Sequence, residues 1–96
     1  MIVVVTRNVP DKIRGFLASC MLEVTPAVYA SPSMTRGVRD RTWSVLSKWF
    51  VDISDSSLVM IYKDNTEATG VGILSLGETP RRIIDADGVA LSYLSK

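Results

Sequence analysis

The chain has 96 residues, 47% hydrophobic and 22% charged, with a net charge of +1. That describes one small globular domain with an adequate core, and its aliphatic richness leads us to expect a homodimer. There is no histidine and one cysteine, Cys20, which excludes an internal disulfide and Ser-His-Asp or Cys-His catalysis and strips a zinc site of its usual ligands. No basic and apolar leader opens the chain, and no apolar run reaches membrane-spanning length, so a reducing, cytoplasmic setting without membrane contact is expected.

Ile2–Val5 is a short run of β-branched residues that predicts a buried first strand. Pro10 suits the first position of a helix and Asp11 its first turn. From there Ile13, Phe16, Leu17, Cys20 and Met21 recur at i, i+3, i+4, i+7 and i+8, the pattern of an amphipathic helix. Leu22–Ala30 has strand character interrupted by Pro26, so it is an edge strand, a bent strand or two short strands. Ser33 is a candidate N-cap for a second helix, with Met34, Val38, Val45, Leu46 and Trp49 on one face. In that helix Trp43, Trp49 and Phe50 read as core residues.

Leu58–Tyr62 predicts an interior strand, KDNTEATG a turn, and Val71–Leu76 the returning strand of a hairpin. IIDADGVALSYL has strand character with a turn signal at residues 87–88. This order predicts an α+β ferredoxin-like sandwich: an antiparallel sheet with both helices on one face, the other free to pack sheet to sheet in a homodimer. All of 1–96 is one domain, with no repeats or linkers.

Charge is unevenly divided: residues 1–50 carry +4 and residues 51–96 carry −3. The split suggests one face for an anion and another for a basic partner. Basic residues fall into three groups: Arg7 with Lys12 and Arg14; Arg36, Arg39 and Arg41; and Arg81 with Arg82. The first strand's end and the first helix's start adjoin in this fold, so Arg7, Lys12 and Arg14 are expected to cluster where phosphate is attracted. Without interleaved aromatic residues, such contacts are to nucleic-acid backbone and indifferent to sequence. Asp85 and Asp87 lie two apart, on one face if extended, a spacing open to a hard cation such as magnesium, although a polar turn with solvated acids is the more ordinary origin of this pattern. The glycines match neither a P-loop nor a dinucleotide fingerprint.

Taken in order, VVVTRNVPDKIRGFLA, LEVTPAVY, RTWSVLSKWF, DNTEATG and GETPRRIIDADG resemble the CRISPR-associated adaptation protein Cas-two, in its subtype I-E branch, over essentially the whole chain. The resemblance implies a ferredoxin-like homodimer that bridges two dimers of the integrase Cas-one and holds a double-stranded DNA prespacer for insertion into a CRISPR array. It implies backbone contacts from Lys12, Arg14, Arg81 and Arg82, with Arg7 beside them. It also implies contacts to the integrase from Glu67, Asp85 and Asp87, with residues 78–96 as a partner-binding segment. Many relatives outside this branch carry an aspartate at the end of the first strand, linked to metal-dependent nuclease activity. Arg7 stands there in this sequence, and a guanidinium neither ligates nor tolerates a magnesium ion. The expected role is therefore a scaffold with no catalytic residue, no metal site and no cofactor. Two alternatives stay open: a magnesium-dependent endonuclease of the same family using Asp85 and Asp87, and an unrelated ferredoxin-like ligand-binding regulatory module.

Overall fold

Strand β1 (Ile2–Arg7) alternates strictly, with Ile2, Val4 and Thr6 buried, Val3 half-buried, and Val5 and Arg7 exposed. The computed structural model describes residues 1–77 with their side chains and the backbone of residues 81–86 and 89–94. After β1 come α1 (Asp11–Cys20), β2 (Leu22–Thr25), β3 (Val28–Ser31), α2 (Arg36–Trp49), a short 3-10 turn over Phe50–Asp52, β4 (Ser57–Lys63) and β5 (Val71–Gly77). These five strands form one antiparallel sheet in the order β2-β3-β1-β4-β5. The first four have the ferredoxin-like arrangement expected from the sequence, extended by β5. Strands β6 (Arg81–Ala86) and β7 (Val89–Leu94) pair with each other in an antiparallel hairpin; the turn signal at 87–88 lies outside the described residues.

The core lies between one sheet face and the two helices. Register places Val4 opposite Tyr29 and Met60, and Thr6 opposite Leu58. Those side chains are buried against Ile13 and Leu17 of α1 and Leu46 of α2. Fully burying an aliphatic side chain of this size stabilises by about 1.5–3 kcal/mol, so this layer drives the fold. The opposite face has no covering layer among the described residues. It carries Val3, Val5, Val28, Val59, Ile61 and Ile73, with Val5 40% and Ile61 37% exposed.

Local chemistry sets the element ends. Pro26 and Ala27 form the two-residue turn between β2 and β3, resolving the interrupted segment as two short strands. Ala27 has φ 71°, a left-handed conformation costly for a residue with a Cβ. Thr6 holds it in place, donating its N–H (2.8 Å) and its hydroxyl (3.0 Å) to the Ala27 carbonyl. Pro10 is the N-cap of α1 rather than its first residue, and Thr35, not Ser33, caps α2 by accepting from Val38 N–H at 3.3 Å. Met34 consequently precedes α2. Cys20, expected on the buried stripe, is exposed, because α1 ends there and Met21 leaves the helix to be buried instead.

Gly72 makes room for an aromatic ring. It pairs with Tyr62 across β4 and β5, and a Cβ there would fall inside the Tyr62 ring. The same ring carries the Arg39 guanidinium, 3.9 Å from the centroid. Gly72→Ala is therefore expected to destabilise the domain by about 1–3 kcal/mol in urea unfolding, because the Tyr62 ring must shift to admit the methyl group. Wild-type stability would show that the ring shifts freely.

Candidate nucleic-acid interface

The chain leaves β1 through a stitched turn. Asn8 (φ 56°) and Asp55 (φ 57°) both adopt the left-handed conformation that short polar side chains tolerate. Asn8 Nδ2 donates to the Asp55 carbonyl at 2.9 Å, and Ser56 Oγ donates back to the Asn8 carbonyl at 2.5 Å. Beside this cross-link, Arg7, Ser57 and Gly77 form one row across β1, β4 and β5. Gly77 (φ 80°) closes the row, where a Cβ would collide with the Ser56 carbonyl. The Arg7 Nε–H donates to Ser57 Oγ at 3.2 Å, which orients the guanidinium without neutralising it.

The structure does not bring Arg7, Lys12 and Arg14 into one cluster. They share the end of the domain where β1 stops and α1 starts, but each has a different neighbour. Successive helical residues are about 100° apart, so Lys12 and Arg14 leave α1 on nearly opposite sides. The Lys12 ammonium lies over the Trp49 ring, 4.3 Å from its centroid. Arg14 pairs with Asp11 at 3.3 Å on the solvent side, with side chains 58% and 95% exposed. Such an exposed pair adds little to stability, yet it places a carboxylate against a cation expected from the sequence to meet phosphate. Arg7 and Lys12 are thus ordered and retain their charge, while Arg14 is partly compensated.

The second arginine group is also divided. Arg39 is largely enclosed by its Tyr62 stack and its 3.2 Å pair with Asp40. Arg41 borders a shallow groove between the helices with Phe16, Val38 and Val45, and Arg36 is exposed. Arg81 and Arg82 open β6, four and five residues beyond Gly77 in the chain; their side chains, and that of Asp85, lie outside the described residues, as does Asp87 entirely. Among the described residues no group of three or more His, Cys, Asp or Glu side chains is placed to hold a metal ion. Nor is any helix among the described residues long and apolar enough to cross a membrane.

Glu67 is exposed in the β4–β5 turn, and that turn is built around Asp64. Thr66 donates its hydroxyl (2.6 Å) and its N–H (2.9 Å) to Asp64 Oδ1, while Glu67 N–H donates to the Asp64 carbonyl at 3.3 Å. The Thr66 bonds, with lesser help from Arg39 and Arg36, hold the Asp64 carboxyl below its usual range.

These features define a ferredoxin-like domain with a cationic strand end and an aliphatic sheet face left uncovered by the described residues. Residues 1–91 match the model of the CRISPR-associated protein family Cas_Cas2CT1978. The chain belongs to this Cas-two-like family. An unrelated ligand-binding module is thereby set aside.

Sequence reasoning missed the Lys12–Trp49 stack and the Asp64–Thr66 turn lock. The first joins residues far apart in the chain and leaves no local signal; the second was available in the D-x-T spacing of an Asx turn. Because the Asp64 pKa is lowered on folding, the turn's stabilisation is present above the ordinary carboxylate range and is lost as pH falls through the lowered value. Amide hydrogen exchange at Thr66 and Glu67 should lose protection in acid at that lower pH, and at all pH values in Asp64→Ala. Protection that ignores both changes would contradict this structure of the turn.

Proposed function

We propose that the chain is the dimeric scaffold of CRISPR spacer acquisition, in the manner of the subtype I-E branch. Two copies pack through the uncovered sheet face, hold a prespacer duplex by its phosphates and bridge two Cas-one integrase dimers. The observation that carries this proposal is Arg7. The end of β1, a carboxylate position in nuclease relatives, here bears a guanidinium oriented by Ser57 and without a carboxylate partner among the described residues. A fixed cation beside the aliphatic face favours phosphate and opposes magnesium, so the proposed role needs no catalytic residue and no cofactor.

The mechanism is geometric. Phosphate contacts from Arg7, Lys12, Arg14, Arg81 and Arg82 fix the duplex without reading its sequence. A duplex of ~20–25 base pairs spans roughly 70–85 Å, at about 3.4 Å per pair, so its length is measured by the assembly rather than by one domain. Glu67 in its exposed turn, with Asp85 and Asp87 in the C-terminal segment, supplies the acidic surface for the integrase. The basic N-terminal and acidic C-terminal halves agree with this division.

Each lost phosphate contact lowers the salt slope of duplex affinity by about 1. Arg7→Ala and Lys12→Ala are expected to do so individually, Arg14→Ala less because Asp11 already compensates it, and the Arg81→Ala/Arg82→Ala pair by about 1–2. Anisotropy titrations of a short duplex at several salt concentrations measure these slopes, and unchanged slopes throughout would place DNA elsewhere. In the same proteins, Glu67→Lys with Asp87→Lys should abolish integrase capture while the homodimer persists; normal capture would refute the acidic surface.

A further inference from the structure

The cations at the strand–helix end differ in what holds them, and Lys12 is held by an aromatic ring. Its ammonium lies 4.3 Å from the centroid of Trp49, at the C-terminal end of α2. The indole is itself fixed edge-on by Phe16, with centroids 5.2 Å apart and planes at 75°. Lys12 is two residues past the Pro10 N-cap, so its side chain starts in the first turn of α1.

From this arrangement we propose that Trp49 is a positioning residue for duplex binding: its indole fixes the Lys12 ammonium beside the first turn of α1, where it meets a backbone phosphate. The inference rests on the functional proposal above, because it needs a duplex at this end of the domain. The physical case lies in the kind of interaction. A carboxylate partner orders a cation but cancels its charge, as Asp11 does for Arg14. An aromatic face attracts the ammonium through its quadrupole and leaves the full positive charge and free N–H donors for an anion. A lysine side chain otherwise has considerable rotamer freedom to lose on contact. Holding it in advance reduces that loss, which is how preorganisation strengthens binding.

The test is a double-mutant cycle in duplex affinity with Lys12→Ala, Trp49→Leu and the double variant, plus Trp49→Phe as the conservative change. An exposed cation–π contact corresponds to about a two- to fivefold effect. Trp49→Leu should weaken binding by that factor, Trp49→Phe should restore most of it, and the double variant should bind no worse than Lys12→Ala alone. NMR gives a second readout that does not depend on DNA: the Lys12 Cε protons should be shifted upfield by the indole and return to ordinary values in Trp49→Leu. If Trp49→Leu does not fold, Trp49→Phe and the ring-current shift decide the matter. Wild-type affinity in Lys12→Ala, or full additivity of the two losses, would overturn the positioning role while leaving the scaffold proposal intact. A wild-type protein that shows no salt-dependent duplex binding, with the upfield shift present, would instead overturn the functional proposal on which this inference rests.

Discussion

The alternation of β1 is the constraint on which the rest of the structure depends. Side chains in a strand point to opposite faces with a period of two, so Ile2, Val4 and Thr6 enter the core while Val3, Val5 and Arg7 go to the other face. Since β1 lies at the centre of the sheet, this single choice of face fixes the register of β3 and β4. Slipping it by one residue would bury Arg7 and expose Val4. The buried Thr6 is tolerated because its hydroxyl and N–H both reach the Ala27 carbonyl. The same residue thereby secures a left-handed alanine in a neighbouring turn.

The strand that builds the core also delivers the chemistry. Arg7 emerges at the strand end beside Ser57, on the face bearing the exposed valines and isoleucines. A charged end on an aliphatic sheet suits a surface that packs against a second copy and meets an anion at its margin. Availability of each cation then follows from its neighbour. Ser57 and Trp49 order Arg7 and Lys12 without cancelling them, whereas Asp11 and Asp40 compensate Arg14 and Arg39.

Much of this was legible in the sequence because it is written in local periodicity. The β-branched run of β1, the apolar stripe of α1, the proline-split β2–β3 pair and the β4–β5 hairpin each carry a pattern of period two, of period near four or of turn chemistry. The misplacements have local causes. Ser33 and Thr35 are both good N-caps, and only Thr35 is positioned to accept from Val38. Cys20 fits the apolar stripe, but the helix ends at it. What periodicity does not encode is which side chains meet across elements. Adjacent strand and helix ends suggested one cluster of Arg7, Lys12 and Arg14, but α1's rotation separates the last two. Lys12 and Trp49 meet only because α1 and α2 lie side by side. The family resemblance was carried by combinations of short motifs, and the family match supports a Cas-two-like protein; the subtype I-E branch and the scaffold role belong to the proposal built on Arg7.

On the proposed reading this chain assembles rather than cuts. The most direct measurement combines the purified protein, the proposed Cas-one integrase partner and a short duplex in size-exclusion chromatography with light scattering, alongside magnesium-dependent cleavage assays of each component alone. A discrete complex of four integrase chains and two scaffold chains on one duplex is expected, with no cleavage by this chain. Magnesium-dependent cleavage by the isolated chain, with no association with the integrase, would contradict it.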